Sequence, residues 1–117
     1  LVNNILDEIP QEYWSDPNKR WLEPACGDGN FLVEVHRRLM VGLEQWQPNA
    51  EERHRHIIET MIFGIDLMED NAQQCIARLN AAGLKHHIVC ADALTYHYRF
   101  DEWEAKEDQL LFVWTQR

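Results

Sequence analysis

Apolar residues recur along this chain at helical spacing in some stretches and in short runs in others, and the two patterns alternate. Val2, Ile5, Leu6 and Ile9 predict a helix over residues 2–9, which Pro10 and the Ser15-Asp16-Pro17-Asn18 cluster break into a loop. Residues 20–26 read as a short strand running into Gly27-Asp28-Gly29-Asn30. Phe31, Val35, Leu39 and Leu43 then return every four residues, with Glu34, Arg37 and Arg38 turned outward, and predict a helix over 30–46. Gln47-Pro48-Asn49 stops it. A charged helix over 50–59 leads into a strand over 61–65, which Asp66 ends. Ala72, Ile76 and Leu79 mark a helix over 69–82 with Gly83 as its stop. A third strand spans 87–91 and runs into Asp92-Ala93; residues 96–108 form a polar, aromatic loop or short helix, and 109–114 a fourth strand.

Strand alternating with helix is the signature of a parallel sheet built from right-handed crossovers, so the expected class is α/β, one domain over residues 1–117. Composition agrees: 45% hydrophobic and 26% charged residues are those of an ordinary globular domain. No apolar run approaches the roughly 20 residues of a membrane span, and no signal-peptide pattern opens the chain. Cys26, Cys75 and Cys90 contain no C-x-x-C pair, which fits reduced thiols and a cytoplasmic protein.

Charge changes the picture more. Twenty acidic residues against 11 basic give a net charge of −9, so the chain carries no basic footprint for a phosphate backbone. Any nucleic-acid surface is expected elsewhere. The chain opens on Leu1 and stops just after the apolar run Leu110-Leu111-Phe112-Val113-Trp114, which is expected of a fragment of a larger protein, a short natural chain being the alternative. As an unpaired apolar edge, that run predicts a homodimer formed through the C-terminal strand; the alternative is that residues 96–103 fold back over it and leave a monomer.

Open parallel sheets bind ligands just past the carboxyl ends of their strands, and three features fall there. Glu23-Pro24-Ala25-Cys26-Gly27-Asp28-Gly29-Asn30-Phe31 places two glycines where backbone N–H groups can approach a ligand closely, in front of a helix N-terminus that favours a carboxylate. Asp66 can accept the hydroxyls of a ribose; the alternative is a helix cap, a role that Asp70 is equally placed to fill. Asp92, in Ala91-Asp92-Ala93-Leu94, can take the exocyclic amine of adenine, or else simply form a turn.

On these residues the chain resembles the adenine-N6 DNA methyltransferases. Leu22-Glu23-Pro24-Ala25-Cys26-Gly27-Asp28-Gly29-Asn30-Phe31-Leu32 is similar to the family's first motif, D-P-A-C-G-S-G-x-F-L; Phe63-Gly64-Ile65-Asp66-Leu67 resembles the second and Ala91-Asp92-Ala93-Leu94 the third. Residues 1–6 resemble the helix that follows the family's Thr-Pro element. The likeness spans about residues 1–96. It implies a Rossmann-like fold of class I methyltransferase type, truncated here, with helices on both faces of the sheet, and S-adenosylmethionine as cofactor. It further implies that Glu23 and the backbone of Cys26, Gly27, Asp28 and Gly29 hold the methionine part, Asp66 the ribose, and Leu67 and Asp92 the adenine, with Pro24, Ala25 and Ala93 also in the cofactor site. The parent would be an enzyme of restriction–modification or phage type that reaches DNA through regions outside this chain. Two departures stand out: Glu23 replaces the usual Asp, and the catalytic [D/N]-P-P-[Y/F] motif does not occur in the sequence. The cofactor half alone leaves open a methyltransferase acting on RNA, protein or a small molecule, or a non-catalytic binding protein.

Other chemistry-bearing residues read more plainly. His54 and His56 lie two apart on a helix, so their rings face different ways, and neither they nor His86, His87 and Cys90 have metal-site spacing. Trp103 and Trp114, with no basic groove beside them, read as core or interface.

Overall fold

A computed structural model of the chain describes residues 2–23 and 26–92. Helix α1 (Val2–Leu6) is shorter than the periodicity predicts, because Glu8 and Ile9 donate to the carbonyls of Ile5 and Leu6, three residues back, and wind the chain into a turn before Pro10. The predicted loop contains a 3₁₀ helix (Gln11–Ser15) that buries Trp14. Strand β1 (Trp21–Glu23) leads to α2 (Asn30–Gly42), and α3 (Ala50–His56) widens into a π-helical turn (Ile57–Met61) before β2 (Ile62–Asp66). Helix α4 (Glu69–Arg78) and β3 (His87–Cys90) follow. The predicted strand over 109–114, the segment 96–108 and the dimer edge lie outside the described residues.

Two helix ends depart from the sequence reading for local reasons. Helix α2 stops at Gly42, where a Cβ would collide with the Trp14 carbonyl oxygen, so the residue's smallness sets how closely the 3₁₀ helix can dock. Helix α4 ends before Gly83. Asn80 takes the left-handed conformation (φ 54), Ala81 N–H donates to the Ile76 carbonyl and Asn80 N–H to that of Ala77, which completes a Schellman motif.

Among the described residues the sheet is three-stranded and parallel, in the order β1-β2-β3. Successive right-handed crossovers in one direction put their helices on one face, and the packing agrees. Register places Trp21, Ile62, Gly64 and Ile88 on one side of the sheet, where the core gathers Leu32, Val35 and Leu39 from α2 with Ala72, Cys75 and Leu79 around α4. Gly64 leaves room for that contact: a Cβ there would lie 2.8 Å from Leu32 Cδ1 and 3.0 Å from Ile88 Cδ1. Leu22, Phe63 and Ile65 are buried on the opposite side. The described helices thus cover one face; the expectation of helices on the other concerns residues outside those described. Among the described residues no helix is long and apolar enough to cross a membrane.

A polar seam ties α2, α3 and the end of α4 together. His36 Nε2 lies 2.8 Å from His54 Nδ1, and His54 Nε2 lies 3.0 Å from the Asn80 carbonyl oxygen. A carbonyl only accepts, so His54 donates from Nε2 and accepts from His36 at Nδ1. Burial, and then the neighbouring His54, lower the His36 pKa to about 4. His56 faces a different partner, the Pro17 carbonyl at 2.9 Å, as the two-residue spacing predicts. No group of three metal-ligating side chains occurs among the described residues.

Candidate functional site

The parallel strands deliver their carboxyl ends to one edge of the sheet, and the loops leaving β1 and β2 meet there. After β1 the chain turns sharply: Cys26 N–H donates to the Ile65 carbonyl (2.8 Å), Gly29 N–H to that of Cys26 (2.9 Å). The turn needs left-handed backbone at Gly27 (φ 55) and Gly29 (φ 101), conformations that a side chain disfavours. Gly29 is also the N-cap of α2, with no side chain to cap it.

Asp66, the last residue of β2, organises the junction. Its Oδ2 accepts from the Gly27 N–H at 2.8 Å, while Oδ1 accepts from the Met68 N–H at 2.8 Å and the Asn71 side-chain amide at 3.2 Å. Burial alone would raise this carboxyl's pKa; the bonds from Met68, Gly27 and Asn71 outweigh it and hold the group below the usual carboxylate range. The expectation that Asp70 caps α4 and frees Asp66 is not met. The N-cap position is Met68, without a side-chain cap, and Asp66 itself holds Met68 and Asn71.

The remaining predicted residues distribute around this junction. Glu23 is buried at the end of β1, in register with Gly64. Leu67 and Met68 are large apolar residues left 71% and 58% exposed directly after Asp66. Beyond β3, Ala91 N–H donates to the Asp66 carbonyl (2.9 Å), and the exposed Asp92 follows it at the same edge. Cys26, Gly27, Asp28, Gly29, Asp66 and Leu67 are brought together, with Asp92 alongside. Pro24, Ala25 and Ala93 lie outside the described residues.

Three residues at the junction were not read as site residues. Asn71 braces Asp66, and Cys75 packs beneath the loop, its Sγ 3.0 Å from where a Cβ on Gly29 would stand. The hydrogen bond with Cys75, together with burial, pushes the Cys26 thiol pKa up, so it stays protonated. Arg78 donates from Nη1 to the Asp28 carbonyl (3.2 Å) and to Asn30 Oδ1 (2.8 Å), and pairs with Asp28 Oδ1 at 3.3 Å. In the sequence they carry only a helix pattern; the partners of Cys75 and Arg78 lie more than forty residues away.

A concavity of about 290 Å³ lies elsewhere, between α1, the 3₁₀ helix and α2, lined by Asp7, Gln11, Trp14, Arg37, Arg38, Val41 and Gly42. Its arginines are already paired, Arg38 with Asp7 and Glu34 and Arg37 with Glu34, and it contains none of the converging strand ends. The strand-end junction is therefore the better candidate, because loops, glycines and a depressed carboxylate converge there.

No family model matches the chain. It is similar to an uncharacterized adenine-specific methylase of Mycoplasma pneumoniae (strain ATCC 29342 / M129 / Subtype 1), with 38% identity over 66 residues, 54% of this chain. The matched segment spans only 16% of that protein's length.

Proposed function

We propose that this chain forms the S-adenosylmethionine-binding portion of a methyltransferase whose acceptor is the N6 amine of adenine in DNA, in a restriction–modification or phage-type setting. The bond from Gly27 to Asp66 carries the reading: it joins the two loops that resemble the family's first and second motifs through one carboxylate. Similarity to a protein named an adenine-specific methylase supports the choice of acceptor.

The residues present fit the group. Each carboxylate oxygen has two lone pairs, and Asp66 Oδ2 accepts a single bond from the loop, so one remains for a ribose hydroxyl. Leu67 and Met68 offer adenine an apolar surface, and Asp92, exposed at the same edge, would take its exocyclic amine. The turn over residues 26–29, with the α2 N-terminus behind it, suits the methionine carboxylate. Glu23 lies at the same strand end. When bound, the cofactor supplies a methyl group on a positively charged sulfur; these residues bind it, orient it and shield it from water, and positioning is their catalytic contribution.

Acceptor chemistry is assigned to regions outside this chain. The sequence contains no [D/N]-P-P-[Y/F], and its −9 charge offers no hold on a phosphate backbone. Calorimetry with S-adenosylhomocysteine tests the reading. Asp66→Ala should weaken binding by about 1.5–3 kcal/mol, as for a charge-assisted hydrogen bond. Asp66→Asn, which retains one acceptor oxygen, should fall between. A wild-type chain that binds nothing at millimolar ligand overturns the proposal.

A further inference from the structure

Asp28 puts a negative charge in the middle of the glycine turn, next to Gly27, whose N–H donates to the Asp66 carboxylate, in a chain of net charge −9. A loop with that charge should repel a ligand's carboxylate unless a cation offsets it. Arg78 is placed to do so. It lies three residues after Cys75 on α4, on the same side of the helix, and the turn rests on both. Cys75 meets the Gly29 backbone, whose missing Cβ permits a 3.0 Å approach. Arg78 reaches across both flanks of Gly29, to the Asp28 carbonyl and carboxylate and to the Asn30 side chain.

We propose that Arg78 is the positioning residue of the 26–30 loop: it neutralises Asp28 and holds the turn at Gly29 in the shape that receives a carboxylate-bearing ligand. The ligand half of this inference rests on the proposed cofactor reading; the loop half stands on the contacts alone. An exposed ion pair is by itself weak, so the two hydrogen bonds to Asp28 and Asn30 set the geometry while the charge sets ligand tolerance. Both hydrogen bonds and the ion pair leave from the single Nη1, so lysine keeps the charge but recovers the bonds only in so far as its shorter stem brings the ammonium to that one position.

Two measurements on the full chain separate these parts. Amide hydrogen exchange without ligand, over a peptide covering 26–33, should run about fivefold faster relative to β2 in Arg78→Met, and Arg78→Lys should recover part of the protection. Calorimetry with S-adenosylhomocysteine should show Arg78→Met about five- to tenfold weaker than wild type. The double variant Asp28→Asn/Arg78→Met should regain affinity without regaining loop protection, a rescue that a purely structural role does not give. Unchanged exchange ratio and affinity in Arg78→Met overturn the proposal; so does a double variant that binds no better than the single one. Faster loop exchange together with a wild-type chain that binds no ligand supports the loop half and overturns the cofactor reading instead.

Discussion

The helix-covered face of the sheet and the edge where its strands end are built from different interactions, although the same strands supply both. On the covered face Ile62 and Ile88 meet Leu32, Val35 and Leu39 in an apolar, close-packed cluster. At the edge, a few residues further along, directional hydrogen bonds converge on Asp66, glycines take left-handed backbone, and Leu67 and Met68 stay exposed. Burial scales with area and has no direction, so the covered face dominates stability; hydrogen bonds in a glycine turn contribute less each but fix where a ligand's atoms can go. Stability and binding should therefore separate under mutation.

Leu39→Ala should have the largest effect. Leu39 is fully buried in the cluster, and truncation there costs about 2–5 kcal/mol in lost transfer energy plus the cavity left behind. Urea denaturation should show the midpoint falling, while ligand affinity measured under folding conditions stays within about twofold, since the residue lies away from the junction. A selective loss of affinity with little loss of stability would break the comparison.

A pH titration sharpens it from a different direction. His36 sits against the covered side of the molecule, with its pKa lowered to about 4 by burial and by His54. A lowered histidine pKa means the folded state disfavours the proton, so its contribution is fully present above the unfolded value near 6.5 and is lost as pH falls toward 4. The loss amounts to about 3 kcal/mol at the acid end of that window. Asp66, whose pKa is also lowered, contributes in the same sense over a more acidic window: its stabilisation holds above the ordinary carboxylate range and is lost only at more acidic pH. Denaturation between pH 7 and 4.5 should thus show a decline that His36→Gln flattens and Asp66→Asn does not. An unchanged slope in His36→Gln would remove the histidine seam from the account.

Periodicity made the covered face legible. The four-residue spacing of Phe31, Val35, Leu39 and Leu43 and the Ala72, Ile76, Leu79 stripe place α2 and α4 correctly, and the apolar runs place all three described strands to within a few residues. Errors cluster where a distant partner decides. How closely the 3₁₀ helix docks on α2 depends on Trp14 reaching Gly42, and the 3₁₀ and π-helical turns have no periodic signature of their own. At the edge, glycine spacing and acidic strand ends pointed to residues that the fold brings together at one junction. The wiring was hidden: Asp66 takes a donor 39 residues before it, and Arg78 an acceptor 50 residues before it. A local rule led to Asp70 as the cap of α4, whereas the carboxylate that reaches into the turn is the one already held by Gly27.

Gly27→Ala should have the smallest effect on stability and is the most direct probe of the edge. Gly27 has φ 55 and nothing within 4 Å of a modest Cβ addition, so the cost is backbone strain alone. A left-handed alanine costs about 1–2 kcal/mol, offset by about 0.4–1 kcal/mol from the stiffer unfolded chain, leaving a net loss of about 1 kcal/mol. Gly29→Ala must do worse, because its φ of 101 lies beyond the ordinary left-handed well and its Cβ would press on Cys75 Sγ at 3.0 Å. Ligand binding should follow the same order, since the Gly27 N–H to Asp66 Oδ2 bond survives a small strain at Gly27 but not a displaced turn. Denaturation and calorimetry on the two variants decide the matter: Gly27→Ala equal to or worse than Gly29→Ala in both would mean that the turn is held at its first glycine, not against α4.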